Sequence, residues 1–196
     1  MTARRVTGVV LAAGGSSRLG IPKQLLPYGN TTLLGATLDV ARSAGFHQLI
    51  VTLGGAAQAV RNQVRLGGVD VVSVEDFGTG CSASLRAALE RVGRQSAGIV
   101  LMLGDQPGVG SATLRRMINE GPPNDIMVCR YADGIGHPFW FNRNVFDDIS
   151  QLHGDKGVWK LIASGRRLVS ELAVDGPVPL DVDTWDDYRR LLESVS

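Results

Sequence analysis

Residues Val9 to Lys23 read VVLAAGGSSRLGIPK. An apolar, strand-like run passes into a loop holding Gly14, Gly15 and Gly20, the hydroxyls of Ser16 and Ser17, and the cations Arg18 and Lys23. Glycines let the backbone turn and bring N–H groups against an anion, hydroxyls add donors, and cations neutralise charge. These residue types suit a polyphosphate; the plainer alternative is a glycine-rich surface turn. Two familiar phosphate loops that also follow a strand are excluded. A dinucleotide fingerprint needs a second glycine two positions after Gly14, where Ser16 stands. A P-loop needs lysine directly after its second glycine; Gly15 and Gly20 have the right separation, but Ile21 and Pro22 intervene before Lys23.

Outward from this stretch, strand-like runs alternate with helical periodicity. Leu34, Leu38 and Ala41 share one helical face, and Gly45 is a natural C-terminal stop. Residues 49–53 read as a strand, 56–66 as a helix and 69–74 as another β-branched strand. Leu85, Ala88, Leu89 and Val92 mark an amphipathic helix before the apolar run 99–103. Such alternation implies parallel β-α-β crossovers with helices on both faces of the sheet. The expected fold is a Rossmann-like three-layer α/β/α sandwich with a mostly parallel central sheet.

The chain has 196 residues with no repeats or linkers, which suggests one domain over 1–196, able to bury roughly 70% of its unfolded surface. With 20 Lys+Arg against 19 Asp+Glu, the net charge of +1 leaves no electrostatic footprint for nucleic acid or an anionic membrane. Cys81 and Cys129 are too few for a disulfide framework or a cysteine-rich zinc site, which points to a reducing cytoplasm, although one disulfide between them stays open. Gly8 interrupts the apolar run after Arg4 and Arg5, so the N-terminus reads as a buried strand rather than a secretory signal. No run approaches the ~18 apolar residues of a membrane helix, and a soluble protein is expected.

Ligands of open α/β sheets bind beyond the carboxyl ends of the strands, so the loops there matter most. After the opening loop, the second is Asp76 to Ser84, DFGTGCSAS, where a helix start with free N–H groups beside Ser82 and Ser84 could hold part of a nucleotide or simply be capped. The third is Gly104-Asp105-Gln106-Pro107. A carboxylate at the end of a buried strand needs a cation or donors, which makes Asp105 a candidate magnesium ligand; a cap before Ser111 is the competing reading. Further on, 126–130 and 137–141 look like strands with Gly134 and Gly136 bending the link, and Val158, Leu161 and Ile162 give a helix its apolar face. His137 could donate to an acceptor phosphate or be structural. Trp159 reads as core or as an aromatic wall, His47 and His153 carry no role from spacing, and Cys81 reads as a small buried residue. Near the end, apolar residues alternate with Asp181 and Asp183, and Thr184 begins a helix carrying Tyr188, Leu191 and Leu192.

The ordered pattern L-A-A-G-G-x-S-x-R-x-G-x-P-K resembles the signature loop of the molybdenum cofactor guanylyl- and cytidylyltransferases. Asp105-Gln106-Pro107 resembles that family's metal-binding segment, Gly136-His137-Pro138 its G-H-P segment, and Gly154-Asp155-Lys156-Gly157 its acceptor-side G-D-x-G loop. D-V-D-T-W-D-D-Y is similar to its D-x-D-T-P-E-D-Y segment, with Trp185 in place of proline. D-Q-P, G-H-P and T-G-C-S-A-S look closer to the cytidylyl branch. The resemblance implies an Mg2+-dependent enzyme taking CTP and molybdopterin, with a molybdenum hydroxylase-type enzyme as a further partner. It implies nucleotide contacts from Leu11, Ala12, Ala13, Gly14, Gly15, Ser16, Ser17, Arg18 and Lys23, and from Gly80, Cys81, Ser82 and Ser84. Asp105 and Asp183 would hold the metal with Asp181 in support, and Arg18, Lys23 and Asp105 would be catalytic. Gln106, His137, Asp155 and Lys156 would meet the acceptor. The nucleotide half would run over about 1–110 and the acceptor half over about 111–196. Other readings compatible with these residues are a transferase with GTP or a sugar-phosphate-type acceptor, a non-catalytic cofactor accessory protein, and an NAD-dependent oxidoreductase.

Overall fold

A computed structural model describes residues 4–76, 78, 80–121 and 125–194. The first strand, β1 (Thr7–Ala12), is buried along its whole length, and its apolar residues 9–12 are those of a strand covered on both faces. After a one-turn helix at Lys23–Leu25 come a small hairpin, β2 (Pro27–Tyr28) and β3 (Thr31–Thr32), and helix α1 (Leu33–Ser43). Thr32 caps α1 by accepting from the Gly35 amide, and Gly45, at φ +88°, ends that segment as a left-handed residue. Then follow β4 (Gln48–Leu53), α2 (Ala57–Gln63), β5 (Asp70–Ser73), α3 (Cys81–Leu89), β6 (Gly98–Leu103) and α4 (Ser111–Glu120). The second half holds β7 (Ile126–Tyr131), β8 (Gly134–Asn142), α5 (Phe146–Ser150), α6 (Gly157–Ala163), β9 (Val169–Ala173) and α7 (Trp185–Glu193).

Among the described residues the main sheet has seven strands in the order β5-β4-β1-β6-β8-β7-β9. Every neighbouring pair is parallel except the two made by β8, which runs against both β6 and β7. The expected mostly parallel three-layer sandwich is the fold found. One core packs α1, α2 and α4 on one face through Leu34, Leu38, Val60, Leu114 and Met117. The other packs α3, α5 and α6 on the opposite face through Leu85, Ala88, Ile149, Val158 and Leu161. Alternate β1 residues divide between them, Val10 and Ala12 to the first and Val9 and Leu11 to the second.

Several boundaries differ from the sequence reading. The helix expected over 56–66 stops at Gln63 because Val64 turns extended, at φ −103° and ψ 133°. The strand expected from His137 begins at Gly134, so Gly134 and Gly136 lie within β8 rather than in a bend, and the hairpin irregularity falls between Val128 and Cys129. The alternation over 180–183 forms no strand, and β9 and α5 are elements that periodicity missed. Cys81 and Cys129 are both free, and Cys81 is exposed rather than buried. His47 is on the surface. Among the described residues no helix is long and apolar enough to cross a membrane.

The topology fixes where a ligand can go. From β1 the chain moves outward to β4 and β5, then returns to β6 on the other side of β1. Direction therefore reverses between β1 and β6, and the crevice beyond their carboxyl ends is the switch point of the sheet.

Candidate active site

Two loops start side by side at that crevice. Leu11 pairs with Leu103 in the parallel register, and the Gly104 amide donates to the Leu11 carbonyl at 2.9 Å. A Cβ on Gly104 would stand 2.9 Å from Ala12 Cβ, so glycine lets β1 and the Asp105 loop touch. The opening loop is folded around Ser16, whose φ is +51°. Its carbonyl accepts from the Leu19 and Gly20 amides at 3.0 and 3.2 Å, and its Oγ accepts from the Lys23 amide at 2.9 Å. These bonds bring Lys23 back toward the end of β1.

Lys23 is the meeting point of the site. Its Nζ donates to Asp105 Oδ2 and, at 2.8 Å, to Asp183 Oδ1. Arg18 Nη1 reaches Asp183 Oδ2 at 3.4 Å. The side chains of Lys23 and Asp105 are each only 14% exposed, so this pair is held out of bulk water, whereas Asp183 and Arg18 stand at the mouth. Burial opposes the charge on Lys23, but Asp105 and Asp183 outweigh it and hold the ammonium above its ordinary pKa. Burial pushes the Asp105 carboxyl up against the pull of Lys23, and Asp181 adds to the upward push. A further cation would offset that cost directly.

Asp183 arrives from the far end of the chain, and its placement has a visible cause. Thr184 caps α7 in a reciprocal box with Asp187, whose carboxylate also accepts from the Asp183 amide at 3.3 Å. Val182 and Leu191 pack with Leu19, Leu26 and Leu33 in a small third core, and the Tyr188 hydroxyl donates to the Pro27 carbonyl at 2.6 Å. The missing proline at Trp185 is thus no obstacle to helix initiation.

The α3 side of the crevice is shaped by the 154–157 loop. Gly80, at φ +105°, comes so close that a Cβ would lie 2.7 Å from the Asp155 nitrogen. Asp155 Oδ1 accepts from the Cys81 amide at 3.0 Å, and the Gly154 carbonyl accepts from the Ser82 hydroxyl at 2.6 Å and its amide at 3.3 Å. The expectation that the N–H groups at this helix start are free is therefore corrected for Cys81 and Ser82, because the neighbouring loop occupies them. Phe77 and Thr79 of the same segment lie outside the described residues. Burial, then Asp155 and Asp105, raise the Cys81 thiol pKa, which keeps it protonated at neutral pH and argues against a reactive thiolate.

These parts enclose a cavity of about 600 Å³, within the usual range for a small-molecule site. The expected residues Leu11 to Arg18, Lys23, Gly80, Cys81, Ser84, Asp105, Asp155, Lys156 and Asp183 all line it. Ser82, Gln106 and His137 do not. Ser82 and Gln106 are buried, and Gln106 Nε2 donates to the Pro179 carbonyl at 3.0 Å, tying the segment before α7 to the Asp105 loop. His137 packs its ring 4.1 Å from Phe139 and 6.2 Å, edge on, from the exposed Trp159, with burial lowering its pKa to about 3. Gly104, read from sequence only as part of the Asp105 loop, also lines the cavity, as do Leu103 and Gln24, which were not picked out from sequence. For Gln24 a signal existed: a polar residue between Lys23 and an apolar pair, at a place where the chain turns inward.

Asp105 and Asp183 converge on one cationic atom, and Asp181 borders the same cavity. Among the described residues no three His, Cys, Asp or Glu side chains form a metal cage. The donor set therefore suits a hard divalent cation that completes its shell with phosphate oxygens and water, not a structural metal.

A cavity of this kind fits a nucleoside triphosphate with its cation, the arrangement of a nucleotidyltransferase. Comparison with known proteins agrees. Residues 8–171 match the family model described as the MobA-like NTP transferase domain, and the chain belongs to that family. The chain is 72% identical to Rv0371c of Mycobacterium tuberculosis H37Rv, whose crystal structure superposes with a TM-score of 0.94 over 98% of this chain and 100% of that one. A manganese complex of Rv0371c, at 69% identity, superposes with a TM-score of 0.89 over 97% and 99%. A nucleotidyl transferase from Methanothermobacter, Mth528, shares 26% identity and a TM-score of 0.83 over 97% of each chain. Nicotine blue oxidoreductase of Paenarthrobacter nicotinovorans is 31% identical, covering 95% of this chain and 96% of that protein.

Proposed function

We propose that this protein transfers CMP from CTP to the terminal phosphate of molybdopterin, releasing pyrophosphate. The observation that carries this reading is the gathering of Asp105 and Asp183 on Lys23 beside the glycine- and serine-rich loop. A phosphate oxygen of the acceptor attacks the α-phosphorus of CTP in line, the bond to the β-phosphate oxygen breaks, and a pyrophosphate-linked cofactor dinucleotide forms. The attacking phosphate is already ionised at neutral pH, so no general base is required. Catalysis rests on positioning and charge stabilisation.

The 12–17 backbone holds the triphosphate, while Arg18 and Lys23 neutralise it and the charge that develops on pyrophosphate. Asp105 and Asp183 would hold Mg2+, which supplies charge neutralisation at the phosphate oxygens. The base lies toward Gly80 and Ser84, and the cytidylyl choice rests on the D-Q-P, G-H-P and T-G-C-S-A-S segments. Asp155 and Lys156 face the acceptor, so the first 110 residues or so serve the donor and the remainder the acceptor. Gln106 and His137 act behind that wall. The reaction takes place in the cytoplasm, with a molybdenum hydroxylase-type enzyme as client.

A second reading has one observation in its favour: the relative covering 95% of this chain is named an oxidoreductase. Incubation with α-labelled CTP, GTP or ATP, molybdopterin and Mg2+, beside a titration with NADH, separates the two. Label in the dinucleotide from CTP supports the proposal, and clear preference for GTP removes its cytidylyl part. Cofactor binding without pyrophosphate release favours an accessory role, and NADH binding with no transfer favours the oxidoreductase.

A further inference from the structure

Gln24 follows Lys23 directly, yet it is buried, with 3% of its surface exposed. Its Nε2 donates to two loop carbonyls, Ala12 at 2.7 Å and Gly14 at 3.1 Å. Its Oε1 is buried with no hydrogen-bond partner. The residue borders the main cavity and also a second hollow of about 430 Å³ bounded by Gly20, Ile21, Gly55 and Ala56. The opening loop therefore has open space on more than one side. Leaving an amide oxygen orphaned in the interior is a net cost, which makes glutamine a poor choice merely to fill space here.

In a trans peptide the C=O and the following N–H point in opposite directions. Drawing the Ala12 and Gly14 carbonyls onto Gln24 turns the Ala13 and Gly15 N–H groups the other way, and both residues line the main cavity. We propose that Gln24 is a positioning residue that clamps the two peptide units of the donor cradle so that their N–H groups meet the nucleotide phosphates. This rests on the nucleotide reading of the cavity. Gln24 touches no reacting atom; it sets the direction of the groups that do.

The test uses the full chain, with CTP and Mg2+ as the probe and GTP as a second probe. Gln24→Leu keeps the volume and removes both donors. It should weaken CTP binding at least about tenfold and speed hydrogen exchange of the Leu19, Gly20 and Lys23 amides, which bond within the loop. Gln24→Glu separates clamping from mere packing. At pH 8 the introduced carboxylate repels the two carbonyls, and near pH 5.5, once protonated, it regains one donor, so its affinity relative to wild type at the same pH should recover. Affinities within about twofold of wild type in both variants, or a Gln24→Glu deficit that ignores pH, would overturn the clamp. If the wild type binds neither CTP nor GTP, the nucleotide reading fails. Hydrogen exchange then decides the clamp alone: faster loop exchange in Gln24→Leu supports it, and unchanged exchange overturns it.

Discussion

Lys23 is the residue on which the site turns, because it is the atom-level contact between the opening loop and both carboxylates. Lys23→Ala and Asp105→Ala should each fold yet lose turnover by at least ~100-fold, roughly 2.7 kcal/mol of transition-state stabilisation. Circular dichroism with steady-state transfer rates checks both, and near-normal turnover in the folded variants would remove those residues from the mechanism. His137 allows a test of a different kind. Its folded pKa of about 3 lies below the unfolded value of about 6.5. Below pH 6.5 the unfolded chain therefore binds a proton that the folded chain refuses, so this contribution to stability is complete above pH 6.5 and shrinks as pH falls. Denaturant titrations at pH 7 and pH 5 should show wild type losing up to ~2 kcal/mol through this residue, and His137→Phe losing less. Equal losses would mean that the imidazole titrates normally. Arg18, Lys23 and Asp105 could be picked out from residue type and order, and Asp183 only from the resemblance of D-V-D-T-W-D-D-Y. Gln24 offered only the signal of a polar residue between Lys23 and an apolar pair; its role stayed hidden because it lies in carbonyl partners that no side-chain pattern displays, and Cys81 was misjudged because helix periodicity does not reveal an adjacent cavity.

At the scale of elements, two junctions hold the site in shape. The first is the N-terminus of α7, where the capping box fixes the residue just after Asp183. Thr184→Ala should cost about 1 kcal/mol of stability and lower turnover more than that loss explains, since Asp187, whose carboxylate holds the Asp183 amide, loses its Thr184 hydroxyl partner. Parallel thermal melts and rate measurements at a temperature where the variant is fully folded check this. The second is the contact of Gly80 with the 154–157 loop. Gly80→Ala adds both a left-handed strain and a Cβ within 2.7 Å of backbone, so the loop carrying Asp155 and Lys156 must shift. We expect weaker acceptor binding with a smaller change for CTP, read from the two KM values; equal changes would argue that the loop does not serve the acceptor. The parallel elements were readable because each β-α pair writes a long apolar run beside a 3.6-residue period. The second half was harder. In β9, Leu172 is the buried residue, α5 has five residues, and β8 begins through Gly134 and Gly136, so each falls short of a clear period.

For the molecule as a whole, the sheet order makes the site. Loops that are about 90 residues apart in the chain, after β1 (ending at Ala12) and β6 (ending at Leu103), become neighbours at the switch point, and a third core folds α7 over them. The existence of that crevice followed from the β-α alternation. Its closing wall did not, because the approach of the 154–157 loop to Gly80 depends on a tertiary contact between distant segments. The most direct test of the transferase account is a single-turnover reaction with CTP labelled at the α-phosphorus, molybdopterin and Mg2+, following label and pyrophosphate together. The account predicts one pyrophosphate released for each label that enters the cofactor dinucleotide, with neither product when the acceptor or the metal is left out. CTP recovered intact beside bound cofactor, with no pyrophosphate released, would contradict it.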